Sequence, residues 1–281
     1  MLPATTFRSA SRRAGTRTRR RHLSAAAWRL ARRAALIWRS ATLTGRIVAA
    51  MVLLLAGWAA VNWMVQVARK PTEVFFPVSG SLAKTPAQTW AEYGPLFREH
   101  STAVMTPELL AALAQVEGAG NPVARTYWRW RVAWNPTEVY RPASSAVGMY
   151  QITDARFAEA KRYCIRDHAP VEDGAWHDLR SCWFNALYFR VLPSHAVEMT
   201  SAFLDRRVAQ MLAQLRVGGA TLQQKQDLAA VIHLCGASVA EAYARRGFRP
   251  GARERCGDHD LRVYLARLNA LKRNFSLLSR A

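Results

Sequence analysis

The 281-residue sequence lacks several features that define large classes of proteins. It contains neither the GxxxxGK(S/T) nor the GxGxxG loop, the glycine-rich motifs that bind phosphates. No internal repeat is visible, and the alternation typical of strands is rare after residue 150. Apolar residues make up 51% of the chain, which is ample for a core. These observations favour a mainly α-helical domain over a nucleotide-binding or repeat fold.

Acidic residues are absent from residues 1–46, which contain twelve arginines. A run such as Arg19–Arg21 cannot be buried, so we predict a mobile tail. Such a tail suits a nucleic-acid binder, an organellar transit peptide or the cytoplasmic flank of a membrane helix. The other 28 of the 40 basic residues share residues 47–281 with all 19 acidic residues, so this part is only moderately basic.

The segment Ile47–Ala68 favours the third interpretation and argues against nucleic acid as a partner. It has no charge and is long enough to cross a bilayer, with Trp58 and Trp63 toward its outer end. Only Arg69 and Lys70 follow directly, so the positive-inside rule places the N-terminus in the cytoplasm. A cleaved signal peptide is the alternative, but the run exceeds about 7–15 residues and no small-x-small site follows. We predict a single-pass protein of the bacterial inner membrane, with the remaining chain in the periplasm.

The rest of the chain divides into two predicted parts. Residues 69–84 contain Pro71, Pro77 and Gly80, a composition typical of a linker. Residues 85–281 have the helical periodicity of one domain, with at most a small hairpin. The segment between 121 and 145 is rich in aromatic rings, which either form a platform for sugars or fill a core. These rings belong to Tyr127, Trp128, Trp130, Trp134 and Tyr140.

A short predicted helix places an ionisable group among apolar residues. The helix begins after an N-cap at Thr106 and ends near Gly118. Glu117 shares one face with Leu110 and Leu113 and lies in the last turn, at the negative end of the helix dipole. Burial and the dipole both raise the pKa of a carboxyl group, and a protonated carboxylic acid is the general acid that a glycosidic oxygen requires. The alternative is a carboxylate that turns back to water.

Two motifs, which occur in the same order along the chain as in the family, resemble the soluble lytic transglycosylases. Members of that family have a lysozyme-like, mostly helical fold and cleave peptidoglycan. The family has a Glu at a helix end, usually followed by Ser, then Gly and Asn-Pro. This chain reads Glu117-Gly118-Ala119-Gly120-Asn121-Pro122. The next family motif is Gly-Ala-x-Gly, an apolar residue, Met, Gln, and Leu or Ile. This chain reads Ser145-Ala146-Val147-Gly148-Met149-Tyr150-Gln151-Ile152. The resemblance covers roughly residues 85–270.

The resemblance implies that Glu117 is the catalytic acid and base. It also implies a set of residues in contact with the glycan: Ser145, Gly148, Met149, Tyr150, Gln151 and His233. Two departures are visible. Gly118 replaces the Ser that usually follows the Glu, and the family's Tyr-Asn-Ala-Gly segment is missing between Leu228 and Tyr243. His233 lies in that segment, either as a substitute positioning group or as a histidine satisfied inside the core.

Four cysteines are present, an even number that suggests disulfides in an exported domain. They allow three pairings, of which we prefer the local one, Cys164 with Cys182 and Cys235 with Cys256. A zinc site is the rival interpretation, but there is no Cys-x-x-Cys motif and the histidines are scattered. We therefore expect no metal, and the resemblance implies no cofactor.

The predicted function is a peptidoglycan lytic transglycosylase that cleaves the bond between N-acetylmuramic acid and N-acetylglucosamine. A hydrolase of the muramidase type is the first alternative and needs a second carboxylate, for which Glu138 and Asp154 are the candidates nearby in sequence. The second alternative is an inactive wall-binding domain that anchors an envelope or secretion complex. In each case the expected partner is the peptidoglycan glycan strand.

Overall fold

We analysed a computed structural model of the chain, which describes Trp28, Arg32 and residues 38–75, 77–178 and 180–280. Most of the predicted tail, residues 1–46, lies outside the described residues. The described residues divide into two compact units, with the boundary between Trp63 and Met64. It is mainly helical with small hairpin sheets, which confirms the predicted structural class.

Helix α1, Leu43–Arg69, contains the predicted membrane segment. Its 27 residues are long and apolar enough to cross a membrane. Only 6% of its most apolar window is buried within the protein, as expected of a helix whose apolar surface is left for another environment. The orientation of this helix stays a prediction.

Residues 64–281 form the second unit, which begins well before the predicted domain boundary at residue 85. The predicted linker contains two 3-10 turns, Pro71–Phe75 and Ser79–Leu82, in which Glu73 and Ser79 are buried. The backbone N–H of Lys84 also donates to the carbonyl of Ala119 at 2.8 Å. This segment therefore packs onto the rest of the unit. The helices that follow are α2, Pro86–Glu99; α3, Pro107–Gly118; α4, Asp154–Ala160; α5, Pro193–Gln214; α6, Leu222–Cys235; α7, Ala237–Arg245; and α8, Leu261–Leu278.

Among the described residues, three antiparallel hairpins interrupt the helices, where the sequence predicted one at most. Strands β1, Trp128–Trp130, and β2, Tyr140–Pro142, pair with Arg129 opposite Arg141. The other pairs are β3, Tyr163–Arg166, with β4, Ala169–Glu172, and β5, Arg255–Cys256, with β6, His259–Asp260. These strands are two to four residues long, too short for alternation to be visible in the sequence.

Helix α3 lies at the centre of the core. Thr106 caps it by accepting from the N–H of Leu109, and Pro107 occupies its first turn, as the sequence predicted. Its residues from Leu109 to Ala114 are fully buried and pack against α2 and α8. The helix ends where Ala119 adopts a left-handed conformation with φ of 49°. Glu117 thus lies in the last turn of this buried helix.

Candidate active site

The side chain of Glu117 lies at the edge of the core and is largely shielded from water. Its side chain is only 14% exposed, and the hydroxyl of Tyr264 on α8 donates to its Oε1 at 2.5 Å. Burial raises the pKa of the Glu117 carboxyl above its usual range. The hydrogen bond from Tyr264 and the positive charges of His259, Arg156 and Arg267 oppose that shift without cancelling it. Glu117 is therefore a carboxylic acid that keeps its proton to higher pH than an exposed glutamate does.

His233 lies behind Glu117, inside the core. Its Nε2 is 3.9 Å from Glu117 Oε1, but burial lowers the pKa of His233 to about 3, so this contact is not an ion pair at neutral pH. The guanidinium of Arg156 lies 3.4 Å from Nδ1 and can only donate, so Nδ1 is the acceptor and Nε2 holds the proton. Arg156 also donates to the backbone carbonyls of Ile232 and His233. The neutral His233 is thus buried beside the carboxyl group.

A cavity of about 580 Å³ opens above Glu117. It shares Tyr127, Arg255 and Asp258 with a neighbouring cavity of about 620 Å³. We call these two adjoining cavities the cleft. Its first half is lined by Val116, Glu117, Arg125, Thr126, Tyr127, Ser144, Ala146, Gln151, Arg255, Asp258, His259, Asp260, Val263, Tyr264 and Arg267. Most of the residues in this list carry polar or charged groups, which suits a hydroxylated ligand better than a purely apolar one.

The second predicted motif reaches the cleft through one side chain. Gln151 lines it, and its Nε2 donates to the carbonyls of Gly148 at 2.9 Å and Ala124 at 3.2 Å. Gly148, Met149 and Tyr150 are instead completely buried, with the Tyr150 hydroxyl donating to the carbonyl of Leu110. None of these three residues lines the cleft, and the side chains of Met149 and Tyr150 belong to the core.

Ser145 also faces away from the cleft. Its Oγ accepts from the backbone N–H of Asp154 at 3.1 Å, and it lines a separate cavity beside Arg190. The candidate second carboxylates lie elsewhere too. Asp154 pairs with Arg190 at 2.7 Å, and Glu138 pairs with Arg69 and Arg141.

The carboxylates that do line the cleft are Asp258 and Asp260, on the β5–β6 hairpin. Asp258 accepts from the hydroxyl of Tyr127 at 3.3 Å. Asp260 caps α8 by accepting from the N–H groups of Arg262 and Val263. The sequence analysis did not identify these two carboxylates, because nothing local in the sequence indicates that this segment meets α3.

Gly118 has a steric reason to replace the usual Ser. A Cβ at this position would lie 2.8 Å from both the Cα and the carbonyl oxygen of Met149. The end of α3 therefore packs directly on the backbone of the second motif, an approach that only glycine permits. Gly148 makes the matching close approach with φ of +83°, and a Cβ there would lie 2.6 Å from the carbonyl oxygen of Arg190.

Both cysteine pairs preferred from the sequence lie at disulfide distance. The Cα atoms are 5.6 Å apart in Cys164–Cys182 and 5.2 Å apart in Cys235–Cys256. The second pair joins the end of α6, two residues after His233, to the hairpin that lines the cleft. In the part of the chain that the structure describes, no group of three or more His, Cys, Asp or Glu side chains is placed to hold a metal ion.

Only one of the five predicted aromatic rings, Tyr127, lines the first half of the cleft. Trp128 is half-buried and donates to Glu73 at 3.0 Å. Trp130 and Trp134 are exposed, and the ring of Trp130 stacks on Tyr140 with centroids 4.6 Å apart.

No protein-family model, curated protein or solved structure matches this chain. The resemblance to the soluble lytic transglycosylases therefore rests on the two sequence motifs alone.

Proposed function

We propose that this protein is a membrane-anchored lytic transglycosylase with a lysozyme-like domain that cleaves peptidoglycan. The observation that supports this most directly is a buried carboxylic acid of raised pKa, Glu117, on the wall of the cleft. A protonated acid that lines a cavity open to a ligand is suited to the cleavage of a glycosidic bond. The chain order of the two motifs around it supports the same function.

The proposed mechanism uses one protein carboxyl group in two roles. Glu117 first donates its proton to the oxygen between N-acetylmuramic acid and N-acetylglucosamine, while the 2-acetamido oxygen of the substrate stabilises the positive anomeric centre. The resulting carboxylate then accepts the proton of the sugar's 6-hydroxyl, which attacks the anomeric carbon and gives a 1,6-anhydro product. The hydroxyl of Tyr264 stabilises the ionised state of Glu117 between these steps, since hydrogen bonds to charged groups are the stronger ones.

A hydrolase is the second candidate, because Asp258 and Asp260 line the same cleft as Glu117. A second carboxylate across a glycosidic bond can activate water or attack the sugar directly. Mass spectrometry of digested sacculi separates the two reactions, since anhydro ends identify the lyase and reducing ends identify the hydrolase. The third candidate, an inactive wall-binding domain in an envelope or secretion complex, predicts no soluble product.

The deciding experiment compares zymograms of the full chain with those of Glu117→Gln, which keeps the side-chain shape but cannot give up a proton. Glu108→Gln on the same helix is the matched control. We expect clearing by the wild type and the control and none by Glu117→Gln. Equal clearing by all three would remove Glu117 from the catalytic role.

We further propose that α1 spans the inner membrane with the N-terminus in the cytoplasm and residues after Lys70 in the periplasm. The length and apolar composition of α1 and the arginine-rich tail before it support this orientation. Two cysteine pairs at disulfide distance also suit the periplasm, where disulfides persist. Peptidoglycan is located in that compartment, so substrate and domain would meet there.

A further inference from the structure

The β1–β2 hairpin ends in a tip, residues 130–136, that exposes large apolar side chains. Trp130, Val132 and Trp134 are 67%, 109% and 104% exposed. Val132 and Trp134 therefore make almost no contact with the rest of the chain. A valine and two tryptophans exposed together in a short loop are a surface suited to an apolar environment outside the protein.

The hairpin is attached to the last turns of α1 in a definite direction. Gln66 Nε2 donates to the carbonyl of Thr137 at 2.7 Å, near the tip, and Arg69 pairs with Glu138. Lys70 Nζ donates to the carbonyl of Ala146 at 2.9 Å, at the hairpin base. The contact nearest the tip is with Gln66, and the contact at the base is with Lys70, which directly follows α1. The two contact points are four residues apart, or about 6 Å along a helix. Within residues 64–281, the tip therefore lies toward the N-terminal side of this segment.

A strongly basic cavity of about 360 Å³ lies beside the same hairpin. Six cationic side chains line it: Arg69, Lys70, Arg129, Arg131, Arg141 and Arg190. Among the described residues, Asp154 is the only acidic residue in this lining. Four of the six cations are in ion pairs, Arg69 and Arg141 with Glu138, Lys70 with Glu73, and Arg190 with Asp154. Arg129 and Arg131 are the other two, and Arg129 lies directly opposite Arg141 across the two strands. This composition favours phosphate groups over neutral sugars.

We propose that the β1–β2 hairpin docks onto the outer surface of the bilayer that α1 crosses. Val132 and Trp134 enter the boundary between headgroups and acyl chains, where tryptophan is enriched. Arg129 and Arg131 bind the phosphates of anionic phospholipids. This inference rests on the proposed membrane anchor and is independent of the proposed catalysis. A glycan strand fits the tip less well, because Val132 offers no flat face and the tip has no facing wall.

The test places a spin label at the tip of the full-length protein in lipid nanodiscs. All four native cysteines are paired, so Val132→Cys adds the single free thiol needed for a nitroxide label. In discs containing phosphatidylglycerol and phosphatidylcholine, we expect the ratio of oxygen to nickel-chelate accessibility at position 132 to be several-fold that of a label at Ala213→Cys. Ala213 is an exposed residue of α5 and serves as the aqueous control.

Two further measurements test whether anionic lipid headgroups hold the hairpin at the membrane. Replacing Arg129 and Arg131 by Gln, or using phosphatidylcholine alone, should lower the accessibility ratio at position 132. The proposal would be overturned if the label at position 132 had the accessibility of an aqueous site in anionic discs. It would also be overturned if the label became shielded from the nickel chelate only when peptidoglycan fragments are added. A chain that does not enter the discs would overturn the membrane anchor and this inference together. Because the readout is spectroscopic, an inactive enzyme with a buried label would still support docking.

Discussion

The hydroxyl of Tyr264 provides a sharp test of how Glu117 works, because Tyr264→Phe removes one atom from a buried ring. That hydroxyl donates to Glu117 Oε1 at 2.5 Å. In the proposed mechanism this hydrogen bond strengthens as Glu117 loses its proton, so it would stabilise the transition state more than the ground state. Hydrogen bonds to charged groups contribute about 1.5–3 kcal/mol, and each 1.36 kcal/mol changes a rate about tenfold. We therefore expect kcat to fall about 10- to 150-fold.

The same substitution should also move the pH profile. The hydrogen bond from Tyr264 lowers the pKa of Glu117, so its removal raises that pKa further. In the proposed mechanism catalysis requires the protonated acid, so kcat/KM should fall as pH rises through this pKa. In the variant this alkaline limb of the profile should lie at higher pH.

The assay is the initial rate of release of soluble muropeptides from sacculi, measured across pH. Tyr243→Phe, a change to another buried ring on α7, is the control and should alter neither rate nor profile. Full activity and an unmoved alkaline limb in Tyr264→Phe would refute the assigned role of this hydrogen bond.

Two further predictions concern stability. Burial raises the pKa of Glu117 in the folded chain, so the wild type loses stability as pH rises above the unfolded value of about 4.3, and Glu117→Gln does not. Calorimetry should therefore give Glu117→Gln a higher Tm than the wild type near neutral pH, and the two proteins should have the same Tm below about pH 4. The same Tm for both proteins at both pH values would contradict the burial argument. Gly118→Ala should destabilise the fold by about 1–3 kcal/mol, since overpacking against Met149 outweighs a gain of about 1 kcal/mol in helix propensity. Gly218→Ala is the matched control, because nothing lies within 4 Å of the added Cβ. Denaturant unfolding measures the free energy of unfolding of both variants. An equal change in the two would contradict the close contact between Gly118 and the backbone of Met149.

Local patterns in the sequence were sufficient for the elements whose signals are continuous. A charge-free apolar run predicted α1, and a threonine cap followed by proline predicted the start of α3. The preferred cysteine pairs followed from their sequence separations of 18 and 21 residues. The raised pKa of Glu117 was also predictable, because its apolar face and its place in the last turn are both local properties.

Only the tertiary structure decided which groups surround Glu117. Tyr264 is 147 residues away in sequence, and its position on the apolar face of α8 is equally consistent with a plain core residue. Asp258 and Asp260 face the cleft because a two-residue hairpin and the packing of α8 on α3 bring them there. Met149 and Tyr150 point into the core because Gly118 and Gly148 allow the backbones to touch.

The sequence by itself therefore determined the helical class, the apolar segment long enough to cross a membrane, and the identity of the unusual carboxyl group. These properties depend on neighbours within one or two turns of the chain. The composition of the cleft depends on packing between elements far apart in sequence. Each such contact requires a particular helix crossing angle and hairpin position. The periodicity of apolar residues in the sequence indicates only which face of an element is buried, and it does not indicate which other element covers that face.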